Sequence, residues 1–115
     1  MNKFLKSFVY AFKGLSYAFA TQLNFRVHCL ATALAVLLGL YTGLSANEWL
    51  WITVAIAIVM ILELINTALE ILVDIVSPAQ NPKAGAIKDL AAAAVLIGAI
   101  MAVVIGLIIF VPKFI

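Results

Sequence analysis

The sequence predicts an all-α membrane protein, with an N-terminal amphipathic surface helix followed by three transmembrane helices. Three observations lead there. First, 67% of the 115 residues are hydrophobic and only 10% are charged, with a mean hydropathy of +1.24. A soluble domain carries about a quarter charged residues. A chain this small has too much surface per volume for seven basic and five acidic side chains to cover. Second, long apolar runs recur along the chain. Third, the basic residues cluster on one side of those runs. The composition excludes a soluble enzyme, a disordered tail and a nucleic-acid module, and leaves room for one membrane-embedded domain over residues 1–115. A single cysteine, Cys29, excludes an intrachain disulfide framework.

Residues 1–25 read as the surface helix. At about 100° per residue, Phe4, Leu5, Phe8, Phe12, Leu15 and Phe19 fall on one arc, with Lys3, Lys6 and Lys13 opposite. Basic residues facing aromatics suit a helix lying in the membrane interface. The scattered lysines also argue against a cleavable leader with a clean apolar core.

A span needs roughly 17–25 apolar residues. Val27–Leu44 is one, broken only by His28, two threonines and two glycines. Residues 90–111 form another, without a charge. The middle segment is charge-free only from Trp49 to Leu62. It reaches spanning length, 49–73, by continuing through Glu63, Asn66 and Glu70. Residues 77–88 form the second loop, in which neither Pro78 nor Pro82 suits a helix interior. The third span is then expected to open near Lys88-Asp89. It presents Gly98, Ala102 and Gly106 at the small-xxx-small spacing that lets helices approach closely.

Lys3, Lys6, Lys13, Arg26, Lys83 and Lys88 lie before the first span or in the second loop, and only Lys113 lies on the other side. The positive-inside rule places the N-terminus and the second loop in the cytoplasm. Trp49 and Trp51 then mark the outer interface.

The middle helix concentrates the chemistry. Glu63, Asn66, Thr67, Glu70 and Asp74 project from one helical face on an otherwise apolar segment. Such a stripe is costly inside a bilayer unless it meets protein, water, a cation or a substrate. Glu63 and Glu70 are about 10 Å apart along the axis, too far to act on one atom, so each carboxylate has its own task. Counted from Trp49, Glu63 lies about 21 Å along the helix and Glu70 about 32 Å, against a hydrocarbon core of about 30 Å. Glu63 can meet the head of a lipid, and Glu70 a water-soluble ligand. His28 reads as an interface residue, since no second histidine is present to share a metal. The same stripe would also serve a small proton-coupled transporter or channel. Lys88-Asp89, Tyr10 and a basic surface helix are features that such a protein would not require.

The run Glu63-Leu-Ile-Asn66-Thr67-Ala-Leu-Glu70-Ile-Leu-Val-Asp74, followed by Lys88-Asp89-Leu-Ala-Ala-Ala-Ala-Val95, closely resembles the prokaryotic diacylglycerol kinase family, which includes the undecaprenol kinases. Tyr10-Ala-Phe-Lys13-Gly14-Leu15 and Gln22-Leu-Asn24-Phe25-Arg26-Val-His28 resemble that family's surface-helix and first-span motifs, so the likeness covers nearly the whole chain. The resemblance implies a homotrimer in the bacterial inner membrane with sites between subunits. It implies ATP and Mg²⁺ at the cytoplasmic surface and phosphate transfer to a lipid alcohol. By the same resemblance, Glu63 is the general base and Glu70 a metal ligand. Lys3, Tyr10, Asp74, Lys88 and Asp89 contact the nucleotide. Asn24, Arg26 and Asn66 are polar groups around the lipid substrate. Gln22 stands where the family has its second metal-binding glutamate. His28 and Asn24-Phe25-Arg26 resemble the undecaprenol branch more than the diacylglycerol branch, so undecaprenol is the expected substrate and diacylglycerol the alternative. No glycine-rich P-loop is present.

The charge asymmetry gives a direct topology test. In a Cys29→Ser background, Gln80→Cys should be labelled by an impermeant maleimide only after the inner membrane is opened. Labelling of intact cells would invert the orientation.

Overall fold

The computed structural model describes residues 2–115. It contains four α-helices: α1 (Lys3–Thr21), α2 (Leu23–Thr42), α3 (Ala46–Val76) and α4 (Pro82–Phe110). A short 3₁₀ turn, Val111–Lys113, follows α4. Three helices are long and apolar enough to cross a membrane: Leu23–Thr42, Ala46–Val76 and the stretch Pro82–Lys113. α4 packs along α3 more extensively than any other pair of helices, and α2 lies against α3.

Several helix ends have a local cause. Asn2 caps α1 by accepting the N–H of Leu5 at 3.0 Å. α2 stops at Gly43, whose φ of 71° is left-handed and open to glycine without strain. α3 opens with a capping box: Ser45 Oγ accepts the Glu48 N–H and Glu48 Oε1 accepts the Ser45 N–H. Glu48 also holds Lys113 at 3.2 Å, tying the end of the chain to the start of α3.

The differences from the sequence reading are largest at two places. The surface helix was expected to run to residue 25, but α1 ends at Thr21 and α2 starts at Leu23. Gln22 between them is extended (φ −114°, ψ 111°). No proline or glycine causes the break. Arg26, on the first turn of α2, donates from Nη1 to the carbonyls of Phe19 (3.1 Å) and Ala20 (3.2 Å). Those carbonyls belong to the last turn of α1, where intrahelical partners run out. The second difference is at α4, which begins at Pro82 rather than near Lys88, so the loop shrinks to residues 77–81. Asn81 is its N-cap and accepts the Lys83 N–H at 2.9 Å. Proline is unfavourable inside a helix but well suited to its first position, where the missing N–H has no partner to lose.

The buried residues of α3 include Ile52, Ala55, Val59, Glu63 and Thr67. Their spacing of three or four is one interior stripe. Glu63 therefore occupies a core position of the helix rather than its edge. Beside this stripe α4 places Gly98 against Ile58 and Leu62, and a Cβ added there would come 2.6 Å from Leu62 Cδ1. The small-residue motif works at Gly98 alone of its two glycines, since a Cβ at Gly106 would meet nothing within 4 Å. On α2, a Cβ at Gly39 would sit 2.6 Å from Trp49 Cη2 and 2.9 Å from Leu44 Cδ1.

These approaches predict unequal costs. Gly98→Ala displaces the end of a flexible leucine, whereas Gly39→Ala must move an indole ring and a leucine together. Gly39→Ala should lower stability in detergent by about 1–3 kcal/mol, as overpacking does, and Gly98→Ala by less. Equal thermal shifts would contradict this packing.

Candidate active site

The polar stripe of α3 runs from the protein interior to its surface. Glu63 is 2% exposed and Thr67 5%. Asn66 and Glu70 are half-buried, and Asp74 is exposed. The Thr67 hydroxyl donates to the Glu63 carbonyl at 2.9 Å, so it satisfies itself along the helix and leaves the Glu63 carboxylate alone. Asn66 Nδ2 donates to Glu70 Oε1 at 3.2 Å. This is the one-turn side-chain pairing that helices favour, and it orients both groups.

The Glu63 carboxylate meets α2. His28 Nε2 lies 3.1 Å from Glu63 Oε1, with the two side chains 23% and 3% exposed. The contact has ion-pair distance but not the alignment of a hydrogen bond, and Glu63 Oε1 and Asn66 Oδ1 remain buried without a hydrogen-bond partner. Groups of this kind are costly to bury unless something pairs with them. His28 also lines an apolar cavity of about 330 Å³ between α2, α3 and α4, with Ala31, Ala55, Val59 and Ala102 among its walls.

At the other end of the stripe, Lys88 Nζ lies 2.6 Å from Asp74 Oδ1, bridging α4 and α3. Both residues line a second cavity, of about 540 Å³, bounded by Ser77, Asn81 and Gly85. The early start of α4 makes this contact. With Pro82 at its first position, Lys88 falls on the second turn of a formed helix, facing Asp74.

The remaining expected residues are spread out. Asp89, Asn24, Lys3 and Tyr10 are exposed, and Tyr10 has the Lys13 ammonium 5.8 Å from its ring centroid. Arg26 is occupied by the carbonyls at the end of α1. Gln22 sits at the break between helices and donates from Nε2 to Thr21 Oγ1 at 3.2 Å. Among the described residues, no hydrogen bond joins Gln22 to Glu70, and no three His, Cys, Asp or Glu side chains converge as a metal site. Glu70 and Asp74 are nonetheless hard oxygen donors about one turn apart at the open end of the stripe. One or two carboxylates suffice for Mg²⁺ when phosphates and water complete its shell, so the donor set fits that ion.

The motif from Glu63 to Asp74, ending on a lysine-bridged carboxylate, can be compared with known proteins. The prokaryotic diacylglycerol kinase family matches residues 9–110. The chain belongs to that family. It is 41% identical over 113 residues to an undecaprenol kinase of Bacillus subtilis, covering 98% of this chain and 92% of that one. It is 45% identical over 103 residues to a diacylglycerol kinase of Synechocystis, covering 89% of this chain and 59% of the relative. A diacylglycerol kinase of Escherichia coli K12 is 32% identical over 103 residues, with 90% and 84% covered. The chain is thus an enzyme of the lipid kinase class, and the transporter reading of the stripe falls away. Its three spanning-length helices and its prokaryotic family make it a bacterial membrane protein.

Proposed function

We propose that the chain transfers the γ-phosphate of ATP to the hydroxyl of a membrane lipid alcohol, with undecaprenol the preferred acceptor and diacylglycerol the second. The observation that carries this reading is the placement of Glu63. It is a carboxylate 2% exposed, at the inner end of a polar stripe whose outer end holds the Asp74–Lys88 pair. A lipid hydroxyl and a water-soluble phosphate donor can reach one stripe from opposite ends. Glu63 and Asp74 are about 16 Å apart along α3, a separation that an extended nucleotide triphosphate bridges.

In this reading the lipid oxygen attacks the γ-phosphorus while its proton passes to the Glu63 carboxylate. The bond from the γ-phosphorus to the β–γ bridging oxygen breaks and ADP leaves. Phosphoryl transfer needs mainly positioning and charge neutralisation. Lys88 contributes positive charge beside the phosphates, and Asp74 holds its ammonium in place. Lys3, Tyr10 and Asp89 contact the nucleotide. Asn66 keeps Glu70 oriented, and Asn24 and Arg26 shape the lipid entry, Arg26 through the α1–α2 corner it pins. Mg²⁺ would be held by Glu70, with Asp74 about one turn away and Gln22 at the position the family resemblance gives the second ligand, and would supply further neutralisation of the triphosphate.

The wider assembly belongs to the same proposal. α1 lies in the cytoplasmic interface of the bacterial inner membrane with its aromatics toward lipid, the N-terminus and residues 77–81 face the cytoplasm, and three copies form a homotrimer. The preference for undecaprenol rests on His28 and Asn24-Phe25-Arg26, which resemble the undecaprenol branch. The cavity that His28 lines, apolar apart from His28 and Thr32, suits the hydrocarbon of either lipid.

The test is a kinase assay of purified protein with Mg²⁺-ATP against undecaprenol and diacylglycerol. Undecaprenol should give the larger kcat/KM. Glu63→Gln should lower turnover by about 10²–10⁴-fold, the usual worth of a general base, while ATP binding persists; near-normal turnover would remove Glu63 from that role. A second measurement addresses Gln22, which offers the metal a dipole where glutamate would offer a charge. Gln22→Glu should lower the Mg²⁺ concentration needed for half-maximal activity. An unchanged Mg²⁺ titration would place residue 22 away from the metal.

A further inference from the structure

We propose that His28 is a positioning residue for Glu63, holding one carboxylate oxygen through its Nε2 so that the other is aimed at the substrate hydroxyl. The inference rests on the reading of Glu63 as the base. Its ground is a contact between two helices far apart in sequence: His28 Nε2 is 3.1 Å from Glu63 Oε1, and the Glu63 side chain is 3% exposed. An ionised carboxylate withdrawn from water needs a donor, and Oε1 has no other hydrogen-bond partner.

Other candidates for this task are occupied or absent. Arg26, half a turn before His28 on α2, spends its guanidinium on the α1 carbonyls. Among the described residues, His28 is the one basic group within ion-pair distance of the Glu63 carboxylate, and residues 90–110 of α4 carry no titratable group. His28 is therefore the donor that faces this carboxylate. It also lines the apolar cavity between α2, α3 and α4. The imidazole thus stands between the base and the space open to a lipid tail, where a misplacement of about 1 Å costs on the order of 100-fold in rate.

The test uses the full-length protein in detergent or vesicles. His28→Leu should lower kcat by about 10–100-fold with KM for ATP unchanged. His28→Gln, which keeps an N–H donor, should recover most of the turnover. A wild-type rate in His28→Leu would overturn the proposal. So would a rate loss that glutamine does not recover. Since the chain has one histidine, ¹⁵N-histidine labelling reports His28 alone and needs no change at position 28. The ring resonances should shift between the wild type and Glu63→Gln, and identical spectra would overturn the proposal even if His28→Leu fails to fold. An active Glu63→Gln variant would sink the base reading itself. An inactive Glu63→Gln with unmoved histidine resonances sinks only the role of His28.

Discussion

The structure is organised around one buried carboxylate. Glu63 is 2% exposed in a chain whose other interior residues are nearly all apolar, and such a group is tolerated only where neighbours compensate it. It lies in line with Ile52, Ala55 and Val59, so the register that packs α3 into the protein also drives the carboxylate inward. Turning it out to lipid would expose a charge to hydrocarbon and unpack the stripe at the same time. What faces it is His28, and His28 is where it is because α2 starts afresh at Leu23. The Arg26 clamp on the end of α1 thus bears on the site from a distance, by fixing the corner from which α2 departs.

From Glu63 outward, α3 crosses a gradient of environments on a single face. Two turns separate a group sealed from water, Glu63, from a half-buried one, Glu70, and about one more turn reaches the exposed Asp74. Chemistry that joins a membrane-bound alcohol to a soluble phosphate donor needs such a gradient. α4 completes it. By starting at Pro82, it carries Lys88 to within 2.6 Å of Asp74 and closes the outer cavity. The opposite end of the bundle is tied differently, through the Ser45 capping box and the Glu48–Lys113 pair. Charge at that end serves cohesion rather than a cavity.

Much of this was legible in the sequence, and the exceptions share a cause. The three spans and the polar face of α3 follow from hydropathy and the 3.6-residue period, which are local properties. The relation of His28 to Glu63 is not local. It depends on the register between α2 and α3, so a lone histidine near a helix start read as an interface residue. The α1–α2 break was hidden for a similar reason. The corner is bridged by a side-chain contact from Arg26, and nothing in Thr21-Gln22-Leu23 announces a turn. The start of α4 is a different case. Asn81-Pro82 carries an N-cap followed by a first-position proline, a readable signal, although the same proline would break a helix interior. The stripe Gly98–Ala102–Gly106 shows the limit of spacing motifs, since only its first glycine meets a neighbouring helix closely.

In the proposed reaction the lipid hydroxyl meets the protein at Glu63, inside the apolar part of α3, while the nucleotide sits at the Asp74–Lys88 end. Photocrosslinking with an undecaprenol analogue carrying a diazirine beside its hydroxyl, followed by peptide mapping, tests that directly. The account predicts adducts on Val59–Asn66 of α3 and Val27–Thr32 of α2, competed by undecaprenol. Adducts confined to the Ser45–Trp49 end, or to the lipid-exposed faces without competition, would contradict it.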